Sequence, residues 1–225
     1  MTGVGIDVGA SRVHLVALAP GADGRQRVVA TDVLPADDAS RVVGWLASLA
    51  DRMGPIRRVA IDAPSDLSTR PHGEDASLAP KFRAARCGEI ALGRDVGVWV
   101  PWVSPPVGAQ EIAPWISVGL TLFATLADAG VDAVETFPHA VFRVLNNGGR
   151  VAAKSKAEGV AERAALLRAA GVDEPTLTVW GHDGLDAAGA ALVAVDPDTC
   201  AITCGHDASA IWIPARPVLS GPSGR

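Results

Sequence analysis

Four places in this chain set a carboxylate where an apolar segment ends, and carboxylates so placed can hold hard cations or move protons. Asp7 lies inside Val4-Gly5-Ile6-Asp7-Val8-Gly9, and Asp62 follows Val59-Ala60-Ile61 and precedes Ala63-Pro64. Glu135 follows Ala133-Val134 and precedes Thr136-Phe137-Pro138. Asp183 and Asp186 stand three apart and so share one face of a helix. A carboxylate within an apolar strand is costly to bury unless it is paired or bound to a cation, which makes Asp7 the most informative single residue.

Each acid also has a plain structural reading. Asp7 could bond turn amides between Gly5 and Gly9, and Asp62 before Ala-Pro is ordinary turn chemistry. Glu135 beside Pro138 could be a helix-entry acid, and Asp-Gly-Leu-Asp at 183–186 resembles an N-cap with an acid at N3. Taken as a set they read differently. Mg²⁺ or Mn²⁺ takes oxygen ligands and needs only a few carboxylates, and two such ions about 4 Å apart can drive phosphodiester cleavage. The expected metal ligands are Asp7, Asp62, Asp183 and Asp186, with Asp7, Asp62, Glu135 and Asp186 as the catalytic set. Lys154, Lys156 and Arg86 are the expected substrate contacts.

The remaining chemistry-bearing types form weaker patterns. His14, His72, His139, His182 and His206 show no metal-ligand spacing on one element, and His182 stands out only because it precedes Asp183. Trp102 and Trp115 flank proline-rich loops and could stack a base, whereas Trp45 sits in a helix stripe. Cys87, Cys200 and Cys204 lack the paired spacing of a zinc site and suit a reducing compartment better than a disulfide framework. Arg143, Arg150, Lys154, Lys156, Arg163 and Arg168 are interleaved with Glu158 and Glu162, the pattern of solvated helix faces. No Gly-x-Ser-x-Gly elbow, Walker loop or Gly-x-Gly-x-x-Gly occurs.

The elements that must carry these groups follow from periodicity. Apolar, valine-rich runs over 3–8, 12–19 and 27–34 predict three strands joined by short turns, an antiparallel meander. Residues 37–53 form an amphipathic helix stopped by Gly54-Pro55, and 57–61 another strand. Residues 65–77 read as a loop, 78–92 as a helix with Pro80 near its start, and 96–110 as irregular. Further helices are expected over 116–129, from Pro138 to Gly148, over 156–170 and over 185–195, with strands at 133–137 and 210–214. Hairpins followed by alternating strands and helices make a mixed sheet with helices on its faces.

The 225 residues, 48% of them hydrophobic and 20% charged, suffice for a well-buried core and exclude global disorder. The expected layout is a single domain over 1–219, with an irregular insertion at 65–117 holding one helix, and a flexible tail at 220–225. The opening has no basic leader and no apolar run approaches a membrane span, so a cytoplasmic protein with no membrane partner is expected. A net charge of −5 argues against an avid, sequence-independent grip on nucleic acid.

Seven stretches, in order, resemble a domain-of-unknown-function family described as predicted ribonuclease-H-like nucleases. They are Gly-Ile-Asp-Val-Gly at 5–9, Ile-Asp-Ala-Pro at 61–64, Arg-Ala-Ala-Arg-Cys-Gly-Glu at 83–89, Pro-Trp-Ile at 114–116, Val-Glu-Thr-Phe-Pro-His at 134–139, Lys-Ala-Glu-Gly at 156–159 and His-Asp-Gly-Leu-Asp-Ala-Ala at 182–188. The resemblance implies an α/β, ribonuclease-H-like mixed sheet with helices on both faces, similar to RuvC-like junction resolvases. By that resemblance Asp7, Asp183 and Asp186 would hold metal, Asp62 would match the acid of the fourth strand, and Glu135 would be a family-specific addition. The implied activity is a divalent-metal nuclease acting on DNA or RNA. Two alternatives remain: a non-catalytic binding or scaffold protein of the same fold, and an actin-like or sugar-kinase-type phosphate-binding protein suggested by Gly-Ile-Asp-Val-Gly-Ala-Ser.

Overall fold

The computed structural model describes residues 1–196, 198–204 and 209–215. The tail expected at 220–225 and His206 lie outside these described residues. Strands β1 (Thr2–Val8), β2 (Arg12–Pro20) and β3 (Gln26–Pro35) form the antiparallel meander. The chain then crosses through helix α1 (Ala39–Met53) to β4 (Ile56–Asp62), which lies parallel to β1. Asp38 caps α1 by accepting from Ser40 N–H at 3.1 Å, and Gly54, at φ 82°, closes it. Helix α3 (Pro114–Asp128) leads to β5 (Ala133–Glu135), parallel to β4. The sheet order is β5-β4-β1-β2-β3-β6, where β6 is the two-residue strand Val172–Asp173 beside β3. This is the ribonuclease-H-like arrangement.

Helices cover both faces. On one, Val42, Leu46 and Leu49 of α1 and Leu122 and Leu126 of α3 pack on Val4, Ile6, Val59 and Ile61. On the other lie α4 (Pro138–Leu145), α5 (Ala157–Ala169) and α6 (His182–Val195), against Val16 and Leu18 of the meander. A separate hairpin pairs β7 (Cys200–Ile202) with β8 (Ile211–Ile213). Among the described residues, no helix is long and apolar enough to cross a membrane.

The middle of the chain departs from expectation. In place of one helix over 78–92 there is a 3₁₀ segment Pro80–Ala84, a short helix α2 (Cys87–Ala91) and a π turn Leu92–Val96. The break falls at Arg86, which is extended (φ −78°, ψ 165°). Its N–H donates to the Glu89 carboxylate at 3.0 Å, which restarts a helix there instead of continuing one. The strands β6 and β7 carry no alternation long enough to read, and the apolar run 176–180 forms a 3₁₀ turn at Leu177–Val179.

Candidate metal centre

The alternation of a strand places Val4, Ile6 and Val8 on the α1 face and Gly3, Gly5 and Asp7 on the α6 face. A Cβ on Gly5 would run into the backbone of Ala187, Ala190 and Ala191. The strand and helix therefore approach as backbones, with only hydrogen on one side and alanine on the other. On β4, Ala60 packs on Ala190 and Ala194 while Val59 and Ile61 face α1, so Asp62, two residues beyond Ala60, shares the α6 face. Asp62 pairs directly with Asp7 in the parallel register. Asp186, one residue before Ala187, sits where α6 passes over these strand ends. Ligand oxygens of Asp7, Asp62 and Asp186 all lie within 4.8 Å of one another.

Three carboxylates so close cannot all ionise freely. Burial, and then the charge of Asp186, push the Asp7 pKa up to about 7. Burial, followed by Asp7 and Asp186, also holds Asp62 well above the usual carboxylate range. Lys154 answers part of this charge, its Nζ standing 2.8 Å from Asp186 Oδ2. Burial works against the ammonium, but Asp186, Asp7 and Asp62 outweigh it and raise its pKa. Arg163, only 2% exposed, brings Nε to 3.4 Å from Asp186 Oδ1, yet that buried oxygen has no hydrogen-bond partner among the described residues. Excess negative charge, hard oxygen donors and a buried carboxylate oxygen without a hydrogen bond fit a divalent cation.

The other expected residues are placed differently. Asp183 lies on the cavity wall, 41% exposed, with Oδ1 2.5 Å from His182 Nδ1 and Oδ2 3.6 Å from His14 Nε2, and it is outside the trio. Nor does it cap α6, whose N-cap is Gly181. Glu135 is turned away from the trio. It accepts from Ser65 N–H at 2.8 Å, from Ser65 Oγ at 3.0 Å, and from both terminal nitrogens of Arg86 at 2.8 and 2.5 Å. Arg86 was an expected substrate contact, but it is 1% exposed. Its NH1 also donates to Asp66 at 2.8 Å, and its Nε and NH2 reach Glu89 at 3.4 and 3.3 Å. These contacts use all five guanidinium donors, so Arg86 organises the loop after β4 and α2 and offers nothing to a ligand. Lys154 faces the cavity, whereas Lys156, the N-cap of α5, is exposed outside it.

Above the trio opens a cavity of about 970 Å³. Trp99, Trp102, Trp115, Phe137 and His139 line it together with the acids. Trp102 meets Trp115 edge-on, ring centroids 4.8 Å apart, and lies 6.2 Å from Phe137. Burial, then the neighbouring Arg163 and Arg143, lower the His139 pKa, so a neutral imidazole lines the wall. Arg163 escaped the sequence reading, which placed it on a solvated face. The signal was present, since Val160, Arg163, Ala164 and Leu167 make one helical stripe and the arginine lies inside it. Its NH1 donates to the carbonyls of Ala152 at 2.9 Å and Gly159 at 3.3 Å.

The cysteines correct another expectation. Cys87 and Cys204, 117 residues apart in sequence, are joined by a disulfide where a reduced set was expected. Nothing in their spacing could have announced the pairing, which depends on the hairpin β7–β8 returning beside α2.

Comparison with solved structures finds RuvC of T. thermophilus in complex with a Holliday junction substrate, at 16% identity and a TM-score of 0.45, covering 85% of this chain and 91% of that one. The Thermus thermophilus RuvC structure is similar at 18% identity and a TM-score of 0.44, over 85% of this chain and 92% of that one. The yeast mitochondrial Holliday junction resolvase Ydc2 follows at 10% identity and a TM-score of 0.41, over 85% and 76%. The fold assignment itself rests on the strand order given above. No curated protein matches the chain. A family model described as "Protein of unknown function (DUF429)" matches residues 109–208, the part of the chain that holds the last four of the seven stretches.

Proposed function

We propose that this protein is a divalent-metal phosphodiesterase acting on nucleic acid, with Asp7, Asp62 and Asp186 as the ligands of Mg²⁺ or Mn²⁺. The observation that carries this reading is the meeting of three carboxylates within 4.8 Å beneath an open cavity. When bound, the ion supplies Lewis-acid polarisation of a phosphoryl oxygen and lowers the pKa of an attacking water. The chain's own residues do the rest. Lys154, 46% exposed and held among the described residues by Asp186, can turn toward a phosphate once the cation takes over the carboxylate. Trp102 and Trp115 offer flat apolar surface to a base, and the neutral His139 can accept or pass a proton at the wall. Arg163 stays buried and fixes the Asp186 rotamer from behind.

The test is cleavage of labelled single-stranded, duplex and four-way-junction DNA and RNA in Mg²⁺ and Mn²⁺, with calorimetric metal titration alongside. Metal-dependent cleavage that disappears in Asp7→Asn supports the proposal. Metal binding through the trio without cleavage of any substrate would favour a binding or scaffold protein, and absence of metal binding removes the centre altogether.

A further inference from the structure

Away from the acidic cavity, three residues with soft or borderline donor atoms meet from three separate stretches of chain. They are His72 from the loop after β4, Cys87 at the first turn of α2, and Cys204 just past β7. His72 is 7% exposed and Cys87 is fully buried. The imidazole Nε2 stands 3.7 Å from Cys87 Sγ and 3.5 Å from Cys204 Sγ, while the two sulfurs are bonded to each other.

A disulfide does not require an imidazole directed at both of its sulfurs, whereas a cation does. With Zn–N near 2.0–2.1 Å and Zn–S near 2.3 Å, the nitrogen-to-sulfur edge of a tetrahedral site is about 3.6 Å. Both observed nitrogen-to-sulfur distances lie at that value, so only the sulfur-to-sulfur separation has to change. We infer that His72, Cys87 and Cys204 form a second metal site, one for Zn²⁺ or a similar soft divalent ion, which the reduced protein fills and the disulfide closes.

The chemistry balances as two steps. A dithiol hands over two electrons and two protons and leaves as its own disulfide. A phosphine hands over two electrons and leaves as phosphine oxide, with one water supplying the oxide's oxygen and the two protons. Either way the Cys87–Cys204 bond opens to two thiols. Zn²⁺ then binds both sulfurs as thiolates and the neutral imidazole through Nε2, releasing the two thiol protons. Three protein ligands suffice, with the fourth position taken by water or another donor. The site would clamp the loop after β4 and the C-terminal hairpin to α2, the short helix that also carries Glu89 and whose N-cap is Arg86. It does not depend on the acidic trio binding metal or cutting any substrate.

Cobalt(II) distinguishes the two sites by spectrum, because thiolate ligands give a sulfur-to-metal charge-transfer band and oxygen ligands do not. The full-length protein is reduced with phosphine, freed of reductant under argon, and titrated with Co²⁺ and then Zn²⁺; oxidised protein is titrated in parallel. One tetrahedral, sulfur-ligated Co²⁺ per reduced chain is expected, displaced by Zn²⁺, with no such band in the oxidised protein and an unchanged band in Asp7→Asn. In Cys204→Ser and His72→Ala the affinity should fall by on the order of 100-fold, at least the loss that follows removal of a mere outer-sphere partner. Folded reduced protein that shows no sulfur-to-cobalt band, or a disulfide that resists reduction without unfolding, overturns the inference. So does affinity undiminished in both variants. The comparison of oxidised with reduced wild type needs no substitution and stands even if the variants fold poorly.

Discussion

Asp7 and Asp62 face each other across the parallel β1–β4 pair, at the last position of that register, close enough that Asp7 helps to raise the Asp62 pKa. Two buried carboxyl groups so placed resist ionising together, which favours a proton on one of them. The centre is thus a proton trap when empty of metal, and a divalent ion has a proton to displace on entry.

That relationship gives the first expectation. Asp7→Asn removes the like-charge conflict and keeps the hydrogen-bonding shape, so in chelator the variant should melt no lower than wild type. Wild type should gain about 2.7 kcal/mol when Mn²⁺ stands at a hundred times its dissociation constant. The variant should gain little. Melting curves with and without Mn²⁺ decide this, and an equal gain in both proteins would take Asp7 out of the centre.

The pH dependence has an unusual sign for an aspartate. The folded-state pKa of Asp7 is raised from 3.8 to about 7, so its contribution to stability is fully present below about 4 and is lost as pH rises toward 7. In chelator, the stability difference between wild type and Asp7→Asn should therefore move against wild type over that window. Mn²⁺ affinity should move the other way, strengthening over the same range with proton release. Melting in chelator and calorimetry in buffers of different ionisation enthalpy measure the two arms. A flat difference would mean that Asp7 is ionised throughout.

Asp183 and Asp186 should separate cleanly. Asp186→Asn should weaken Mn²⁺ binding by roughly tenfold or more, the scale of one lost charge-bearing ligand. Asp183→Asn, whose carboxylate is held by His14 and His182 outside the trio, should change it far less. Asp183→Asn should cost no more than about 1 kcal/mol of stability in chelator, since Gly181 is the α6 cap. Asp186→Asn leaves the buried Arg163 without its carboxylate and should cost more. Calorimetric titration of both variants is the check; equal losses would place Asp183 among the ligands.

Arg86→Met should act on folding. It strands Glu135 and Glu89 in the interior without their guanidinium, and breaking such a buried pair costs about 3–5 kcal/mol. Denaturant unfolding should show that loss. A cost below about 1 kcal/mol would mean that the loop after β4 opens and rehydrates the acids.

Trp102→Ala probes the cavity wall. If a base stacks there, single-stranded binding should weaken by about 1–3 kcal/mol while Mn²⁺ affinity holds. Fluorescence anisotropy in Ca²⁺, paired with metal calorimetry, reads both quantities. Unchanged anisotropy would return Trp102 to an internal packing role with Trp115 and Phe137.

Legibility in the sequence followed the range of the interactions. The meander, α1 and the β4 strand are set by local alternation and punctuation, and they stand within a residue or two of expectation. Asp7, Asp62 and Asp186 could be picked out because each interrupts or ends an apolar run. Glu135 looked the same by that criterion, but its partner is Arg86, 49 residues away, and no local pattern reveals where a guanidinium will turn. The Cys87–Cys204 pair, the two-residue strand β6 and the break at Arg86 likewise depend on contacts between distant segments. The aromatic wall was half legible: Trp102 and Trp115 were suggested by their prolines, while Phe137 and His139 come to the cavity only through the start of α4.

The spacing of the three carboxylates proposed as ligands is governed by an atom that is not there. Because Gly5 has no Cβ, α6 rests on the β1 backbone, and Asp186 rides on that helix. A single methyl group at position 5 would act as a shim, lifting the helix without touching any charged group. Such a change would spare the carboxylates and still spoil their grip. The centre can accordingly be disarmed by a substitution that an inventory of its ligands would pass as silent.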